Sequence, residues 1–267
     1  MNVTLLGTGD ATSVPAPLCD CEYCVASNRR RHPAVLVETT ETTLLFDVGP
    51  DIQEQLDAVD VREVDGAFLT HAHGDHSAGL PTIGQTAKWD GAHLDRVDEL
   101  EPTGDAFDPG YSVYLTETAR AALAKRYGFL DSRLTFESVD DGQTVSVGDC
   151  EVTAVPVEHH RPEAQTLGFV VETDGSTVCY APDMRRWYEN PPTADVDLLV
   201  CEGAAVLGQP VHGPTDELLA AIDAVDADRV VLVNVNEHLQ RKHTGELAAV
   251  AADHGCELGV DFETYEV

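Results

Sequence analysis

The amino-acid sequence predicts one α/β domain, in which short strands and helices follow one another along the chain. Three observations support this prediction. The 267 residues are 43% apolar, which is enough to bury one large core and is a common length for a single domain. Short apolar runs alternate with stretches of helical periodicity. No linker-like segment divides the chain, so residues 1–267 are assigned to a single domain.

The first half begins with short apolar runs that end in turn-forming residues. Strands are expected at residues 3–6, 34–38, 43–46 and 67–70, where Val, Leu and Phe are frequent. Helices are expected at residues 52–59 and 117–127, because their apolar side chains recur at helical intervals. Between them, residues 85–110 carry many acids and few apolar side chains, a composition that indicates an acidic loop or insertion.

The second half returns to strand-like runs. They are expected around residues 145, 152, 169 and 178, then at 196–202 and 229–233. Two helix-like stretches, residues 216–225 and 245–253, flank the last strand. The alternation therefore continues to the end of the chain, as expected for one α/β domain.

Residues 70–76 place four metal-binding side chains within six residues, directly after the apolar run that ends at Leu69. Their pattern is H-x-H-x-D-H. A strand ending in this loop would direct His71 and His73 to the same side, and would leave Asp75 and His76 at the start of a helix. Imidazoles suit Zn, Fe, Co or Mn, and a carboxylate compensates charge. The motif therefore predicts a hydrolytic centre with two adjacent divalent ions.

This motif is the signature of the metallo-β-lactamase superfamily, which the sequence resembles. The resemblance implies an αββα sandwich and a metal-dependent hydrolase. It also implies further ligands where later strands end. His159, which closes the run 155–159, matches the family's third histidine, with His160 as a rival, and Asp183 matches the bridging carboxylate. Both follow apolar runs, at positions where loops carry functional side chains.

The sequence departs from the family after its last strand. The family places a histidine there, whereas this chain has Asn234, followed within ten residues by His238 and His243. Either the amide oxygen of Asn234 is a weak ligand, or one of the two histidines takes the place, or one metal position is depleted. The sequence leaves these alternatives open.

Three cysteines lie at ligand spacing in a loop at residues 19–24. Cys19, Cys21 and Cys24 form the pattern C-x-C-x-x-C, and three neighbouring thiolates are a good start for a tetrahedral zinc site. Together with the preceding Gly-Thr-Gly and the H-x-H-x-D-H motif, this loop resembles the phosphoribosyl cyclic phosphate phosphodiesterases of phosphonate breakdown. In that group a histidine shortly after the last strand completes a structural zinc, which implies His238 here.

Two further residues are assigned roles beside the metal centre. His212 matches a loop histidine that lies over the substrate phosphate in the resembling phosphodiesterases. It would bind a phosphate oxygen or protonate the leaving alkoxide as a general acid. Asp47 resembles the strand-end aspartate of the family and is expected to orient a ligand histidine. The plainer alternatives are an exposed loop histidine and a turn residue before Gly49.

The expected cofactors follow from this set of donors. Two divalent ions, Zn or Mn, about 3.5–4 Å apart would lower the pKa of a bridging water to about 7 and so generate the attacking hydroxide. The same ions would neutralise the charge of a phosphodiester. Asp75 and Asp183 hold the ions, and Asp75 and His212 are the predicted catalytic residues. One structural Zn is expected at residues 19–24.

The chain is strongly acidic. Its 16 basic and 48 acidic residues give a net charge of −32, a balance that repels nucleic acid at low salt and resembles proteins of extreme halophiles. We therefore expect no nucleic-acid partner and a protein adapted to concentrated salt. The sequence contains no apolar segment of signal or membrane-spanning length, so a cytoplasmic location without a membrane partner is expected.

These features lead to one principal prediction and three alternatives. The principal prediction is a metal-dependent phosphodiesterase acting on a small cyclic or nucleotide-like phosphodiester. A homodimer, which is usual among the resembling proteins, is a further expectation. A tRNA 3′-processing endonuclease of the same fold would need a protruding arm and a basic surface. A lactone or thioester hydrolase would not need His212, and a metal-bearing scaffold would lack catalysis altogether.

Overall fold

The computed structural model describes residues 1–87, 112–159, 165–173, 175–192 and 195–267. Most of the predicted acidic segment, residues 88–110, and the alternative ligand His160 lie outside the described residues. Within the described ranges, two β-sheets share one core and each sheet carries helices on its other face. This arrangement confirms the predicted αββα sandwich.

The first sheet contains seven of the described strands. They are β1 (Asn2–Gly7), β2 (Ala34–Glu38), β3 (Thr43–Phe46), β4 (Gly66–Phe68), β5 (Ser112–Leu115), β6 (Thr135–Ser138) and β15 (Thr264–Glu266). Their order across the sheet is β15-β1-β2-β3-β4-β5-β6. The strands from β3 to β6 are parallel, whereas β15, β1, β2 and β3 are paired antiparallel.

The second sheet contains eight of the described strands. They are β7 (Thr144–Val147), β8 (Cys150–Glu158), β9 (Thr166–Thr173), β10 (Ser176–Ala181), β11 (Arg186–Trp187), β12 (Val196–Glu202), β13 (Ala227–Val233) and β14 (Glu257–Leu258). Their order is β11-β8-β9-β10-β12-β13-β14, and β7 also pairs with β8. The strands β10, β12, β13 and β14 are parallel. The carboxyl ends of β10, β12 and β13 therefore lie at the same edge of the sheet, near the site described below.

Helices cover the outer faces of both sheets. The helices in the described ranges are α1 (Glu22–Ala26), α2 (Ile52–Ala58), α3 (Gly74–Ser77), α4 (Leu80–Ala87), α5 (Glu117–Arg126), α6 (Thr215–Asp223), α7 (Glu237–Gln240) and α8 (Thr244–Asp253), with a 3₁₀ turn at Leu130–Ser132. Apolar residues of α2, α4 and α5 pack on the first sheet, and those of α6 and α8 pack on the second. Among the described residues, no helix combines the length and the apolar character needed to cross a bilayer.

The alternation of β2 shows how the sequence builds this architecture. Val35 and Val37 point into the core between the sheets, whereas Leu36 points toward the helices on the other side. Because strand side chains alternate between the two faces, a run without polar residues indicates a strand that is buried on both sides. Burial of each such side chain contributes roughly 1.5–3 kcal/mol.

One strand ends earlier than the sequence predicts. The run at residues 67–70 was expected to be strand throughout, but regular pairing in β4 stops at Phe68. The backbone amide of Thr70 donates to Oδ1 of Asp47 at 2.9 Å, so it is bound to a side chain rather than to a neighbouring strand. His71 and His73 therefore lie in a loop, although their rings remain close, with centroids 4.4 Å apart.

Candidate metal centre and active site

The predicted site residues gather where strands of both sheets end. Because β3 and β4 are parallel, and β10, β12 and β13 are parallel, their carboxyl ends lie at common edges of the sandwich. Each of these ends supplies a polar residue or loop. They are Asp47 after β3, the loop 70–76 after β4, His159 after β8, Asp183 after β10, Glu202 at the end of β12 and Asn234 after β13.

A first group of donors consists of three histidines and one aspartate. His71, His73, His159 and Asp183 each offer one ligand atom, and these atoms lie within 4.8 Å of one another. Nε2 of His71 is 3.3 Å from Oδ2 of Asp183, and Nε2 of His159 is 3.6 Å from the same oxygen. The order of these residues along the chain is the one that the family resemblance implied.

A second group shares the same aspartate. Asp75, His76 and Asp183 also offer ligand atoms within 4.8 Å of one another. Nε2 of His76 lies 3.2 Å from Oδ2 of Asp183 and 3.3 Å from Oδ2 of Asp75. Oδ2 of Asp183 therefore faces both groups, as the carboxylate of a two-ion centre must.

Two buried nitrogen atoms support the assignment of these groups as cation sites. Nε2 of His71 and Nε2 of His76 are buried, and in the described part of the chain no acceptor, including the nearby carboxylate oxygens, meets hydrogen-bond geometry with either atom. A buried polar atom without a partner is costly, and such atoms in native proteins call for a ligand or ion. Ligand atoms about 2.0–2.1 Å from a tetrahedral zinc lie about 3.3–3.4 Å apart, close to the distances observed around Asp183.

The pKa values of two of the histidines, His159 and His73, favour cation binding. Burial lowers the pKa of His159 to about 3, with the charge of neighbouring His71 acting in the same direction and that of Asp183 opposing it. Burial followed by the charge of His71 also lowers the pKa of His73. Both imidazoles are therefore neutral at pH 7, which is the form that ligates metal ions.

Asp47 holds His76 in place. Nδ1 of His76 lies 2.7 Å from Oδ2 of Asp47, which also accepts a hydrogen bond of 3.1 Å from the Tyr180 hydroxyl. Oδ1 of Asp47 accepts from the amide and the hydroxyl of Thr70, both at 2.9 Å. A carboxylate that binds one ring nitrogen orients the other nitrogen toward an ion. The structure thus places Asp47 where the family resemblance implied, and adds Thr70 and Tyr180.

His212 is paired with a buried glutamate that the sequence interpretation missed. Nδ1 of His212 donates a short hydrogen bond to Oε2 of Glu202, whose Oε1 accepts from the amide of Ala204 at 2.6 Å. Burial opposes protonation of His212, but the hydrogen bond to Glu202 and its charge outweigh it and raise the pKa of His212 to about 9. The ring centroid of His212 is 4.4 Å from that of His159. The sequence does contain a signal for Glu202, because an acidic residue at the end of an apolar strand is typical of a functional site.

The structure shows where the three residues that follow the last strand, Asn234, His238 and His243, are located. Asn234 is buried and its Nδ2 donates to the backbone oxygen of Pro182 at 2.8 Å and to Asp183. His238 lies with the cysteine loop. His243 is exposed, precedes α8 as its N-cap, and has its ring centroid 5.0 Å from that of Tyr23. Of the three, only Asn234 contacts the two groups that share Asp183.

The cysteine loop forms a separate cluster of donors. Cys19, Cys21, Cys24 and His238 offer ligand atoms within 4.8 Å of one another. Nδ1 of His238 is 3.3 Å from the sulfur of Cys19 and 3.3 Å from that of Cys21. A backbone hydrogen bond at Cys24, followed by the contact with His238, lowers the pKa of Cys21 to about 6, which favours the thiolate. The donor set fits one tetrahedral zinc.

Comparison with known proteins relates the chain to a large family. The family model of the beta-lactamase superfamily domain matches residues 42–234. Ribonuclease Z of Natronomonas pharaonis is 27% identical over 257 residues, covering 90% of this chain and 73% of that protein. Ribonuclease Z of Methanothermobacter thermautotrophicus is 29% identical over 161 residues, covering 60% of this chain and 45% of that protein. The chain thus spans about half the length of the latter relative.

Solved structures extend the similarity to the whole chain. Zn²⁺-bound PqqB from Methylobacterium extorquens has a TM-score of 0.74 and 20% identity, with 100% of both chains covered. A diphosphatase of the PhnP family has a TM-score of 0.73 and 20% identity, covering 100% of this chain and 97% of that one. At this level of identity, the two structures establish the fold.

Proposed function

We propose, from the membership of this chain in the beta-lactamase superfamily, that the protein is a metal-dependent hydrolase. Its proposed substrate is a small cyclic or nucleotide-like phosphodiester. The observation that carries the proposal is the pair formed by His212 and Glu202. His212, which would be the proton donor, lies beside His159 and Asp183, at the same strand ends as the two donor groups. Hydrolysis of a phosphodiester releases an alkoxide, and this leaving group needs a proton.

Two divalent ions would be held by the described donors. One would bind to His71, His73, His159 and Asp183, and the other to Asp75, His76 and the shared Asp183. When bound, such ions would supply Lewis acidity to a phosphoryl oxygen and acidity to water. We propose zinc or manganese, because imidazole and carboxylate donors suit both metals. A third ion, zinc, is proposed for the cysteine loop with His238.

His212 would provide the proton for the leaving oxygen. Its Nδ1 is held by Glu202, so donation toward a substrate would come from Nε2. With a pKa raised to about 9, the ring carries both protons at neutral pH. Glu202 is itself fixed by the amide of Ala204 at 2.6 Å, and it therefore holds the imidazole in one orientation. A general acid in such a position contributes roughly 10²–10⁴-fold to a rate.

Asp47 and Arg126 would support the reaction from two sides. Asp47 fixes the ring of His76 so that Nε2 points toward Asp75 and Asp183. The exposed guanidinium of Arg126 donates to the backbone oxygen of Ala72 at 2.6 Å, between His71 and His73. A guanidinium anchored at this loop supports an anionic substrate, because Arg pairs well with phosphate.

A tRNA 3′-processing endonuclease remains the second candidate. The observation in its favour is that several curated relatives carry the name ribonuclease Z. The net charge of −32 weighs against a long RNA only at low salt, because concentrated salt screens the repulsion of its phosphates. The same composition leads us to propose concentrated salt as the working medium.

A hydrolysis screen in concentrated salt tests the proposal. The substrates are bis-p-nitrophenyl phosphate, 2′,3′-cyclic nucleotides, a ribosyl cyclic phosphate, lactones, thioesters and a precursor tRNA with a 3′ trailer. We expect turnover of one of the small phosphodiesters that stops after chelation and returns with Zn²⁺ or Mn²⁺. Turnover confined to the precursor tRNA would establish the second candidate, and turnover confined to lactones or thioesters would exclude both.

A further inference from the structure

Asn234 has an unusual position at the end of β13. Its backbone has a φ of 61°, in the left-handed region that Asn, Asp and His adopt more readily than other residues with a β-carbon. Its side chain is buried, with 3% of the residue exposed. The side chain is therefore held in one position, in contact with Asp183.

The amide group of Asn234 turns its nitrogen toward three acceptors. Nδ2 donates to the backbone oxygen of Pro182 at 2.8 Å, to Oε2 of Glu202 at 3.0 Å, and to Oδ1 of Asp183. The reverse orientation would place the amide oxygen against the same three oxygens, without a hydrogen between them. The orientation of the amide follows from its partners, and the atom that faces Asp183 is a donor without a lone pair for a metal.

This contact divides the two oxygens of Asp183 between different partners. Oδ1 accepts from Asn234, whereas Oδ2 lies 3.3 Å from Nε2 of His71 and 3.2 Å from Nε2 of His76. A single carboxylate oxygen is thus directed toward both donor groups. Oε2 of Glu202 is likewise occupied, because it accepts from both Asn234 and His212.

The two groups consequently differ in the number of their donors. The first group has three imidazoles and one carboxylate, which is the full complement of a four-coordinate ion. Among the described residues, the second group has one imidazole and two carboxylates, and one of these carboxylates is the shared Asp183. Asn234 does not add a ligand to the second group, because its amide nitrogen faces the shared aspartate.

We infer that Asn234 is a positioning residue that makes the two cation positions unequal: one tight, at His71, His73, His159 and Asp183, and one weak and exchangeable, at Asp75, His76 and Asp183. The asymmetry arises because Asn234 directs one oxygen of Asp183 to both positions while contributing no donor of its own. The inference concerns occupancy by metal and holds for any substrate of the site.

Titration with Mn²⁺ tests the inference without a substrate. The zinc proposed for the cysteine loop is left in place, since thiolates prefer zinc, and free Mn²⁺ is measured by electron paramagnetic resonance as it is added. We expect two classes of bound Mn²⁺ whose dissociation constants differ by about 10–100-fold, the size of effect that residues supporting metal ligands have on affinity. Two equivalent Mn²⁺ ions in the wild-type protein would overturn the inference.

Substitution of Asn234 provides the second arm of the test. Asn234→His keeps a residue type that tolerates the left-handed backbone and brings an imidazole next to Asp183. We expect the weaker dissociation constant to fall by at least about tenfold in this variant. Asn234→Asp, which keeps the shape and replaces the donor by an oxygen, should also tighten the weaker class. Failure of both folded variants to change that constant would contradict the inference.

Asn236→Ser is the matched control for these variants. Asn236 is equally buried and lies two positions away, but its amide contacts Asp10 and Thr12 rather than Asp183. Serine preserves its function as the N-cap of α7, where the side chain accepts from Leu239. Both Mn²⁺ dissociation constants should be unchanged in the control, and a change there equal to that in Asn234→His would assign the effect to the loop and overturn the inference.

Discussion

Nδ1 of His76 lies 2.7 Å from Oδ2 of Asp47, although the two residues are 29 positions apart in the chain. The contact exists because β3 and β4 are parallel neighbours, so the residues that follow them meet at one edge of the sheet. Asp47 is held in turn by the amide of Thr70 and the hydroxyl of Tyr180, which comes from the opposite sheet. The orientation of one candidate metal ligand thus depends on both halves of the sandwich.

Substitution of Asp47 should weaken metal binding without removing a ligand. Asp47→Asn keeps a residue that tolerates the φ of 62° but removes the charge that holds Nδ1 of His76. We expect the affinity for Zn²⁺ or Mn²⁺ to fall about 10–100-fold, as measured by competition with a chelator. Tyr180→Phe removes only one hydrogen bond to Asp47 and should have a smaller effect. Equal affinities in the wild type and in Asp47→Asn would contradict the proposed role.

Substitution of His212 should slow turnover and leave the metal content intact. His212→Asn removes the proposed proton donor, so kcat on an active phosphodiester should fall by about 10²–10⁴-fold. Glu202→Gln keeps an acceptor for Nδ1 but removes the charge that raises the pKa of His212, and kcat should fall by less. The exposed His254 provides a control, His254→Asn, with unchanged kcat. A normal kcat in His212→Asn would exclude the role in proton donation.

Removal of one cysteine should cost the protein one zinc ion per chain. Cys21→Ser eliminates a donor that lies 3.3 Å from His238, and the zinc content measured by elemental analysis should fall by about one equivalent. Thermal stability should fall too, because metal binding contributes to the free energy of folding. Cys256→Ser is the control, since this buried cysteine lies outside the cluster. Identical zinc contents in Cys21→Ser and the wild type would show that the cluster holds no zinc.

The ion pair between Arg30 and Glu237 should be far more important for stability than surface pairs. Nε of Arg30 lies 2.8 and 3.0 Å from the two oxygens of Glu237, and both side chains are buried. Glu237→Gln leaves a buried guanidinium without its counter-charge, and should lower the free energy of unfolding by about 3–5 kcal/mol. Glu257→Gln, which breaks the exposed pair with Arg229, should cost at most about 1 kcal/mol. Denaturant unfolding measures both, and similar losses would refute the distinction.

The contact of Asp51 with His32 predicts a pH dependence of stability. A hydrogen bond from the His32 side chain, assisted by one from its amide, lowers the pKa of Asp51 below its ordinary 3.8. The folded state thus binds this proton less readily than the unfolded state. Its stabilisation is present above pH 3.8 and is lost as the pH falls through the lower pKa of the folded protein.

Asp51→Asn isolates this contribution. At pH 6 the variant should be less stable than the wild type by about 1–2 kcal/mol, and the difference should shrink as the pH approaches 3. Denaturant unfolding between these pH values measures the difference, with the exposed Glu41→Gln as the control. A difference that is independent of pH would contradict the assignment.

The strands and helices follow closely from local sequence. The expected runs 34–38 and 43–46 coincide with β2 and β3, and the helices expected at 52–59, 117–127 and 245–253 agree with α2, α5 and α8 to within a few residues. Both faces of these central strands are buried, so their apolar composition is a strong local signal. The motif at residues 70–76 could be recognised equally well, because its four donors lie within six consecutive residues and need no distant partner to be identified.

The contacts that shape the site come from distant parts of the chain. Tyr180 reaches Asp47 across 133 positions, and Asn234 reaches Glu202 across 32. Their roles depend on which strands are neighbours and on the orientation of the Asn234 amide. The spacing of residues in the sequence reveals neither of these two features. The places of the two histidines that follow β13 are visible only in three dimensions, where His238 lies beside the cysteines and His243 caps a helix.

By itself, the sequence determined the α/β alternation, the family, and the identity of most candidate donors, because these depend on periodicity and on short motifs. Tertiary structure alone decided which donors share Asp183, that Glu202 accompanies His212, and that Asn234 presents a nitrogen to the site. The physical reason is that secondary structure responds to the order of neighbouring side chains, whereas a site is assembled from strand ends whose proximity is set by the pairing and packing of two sheets.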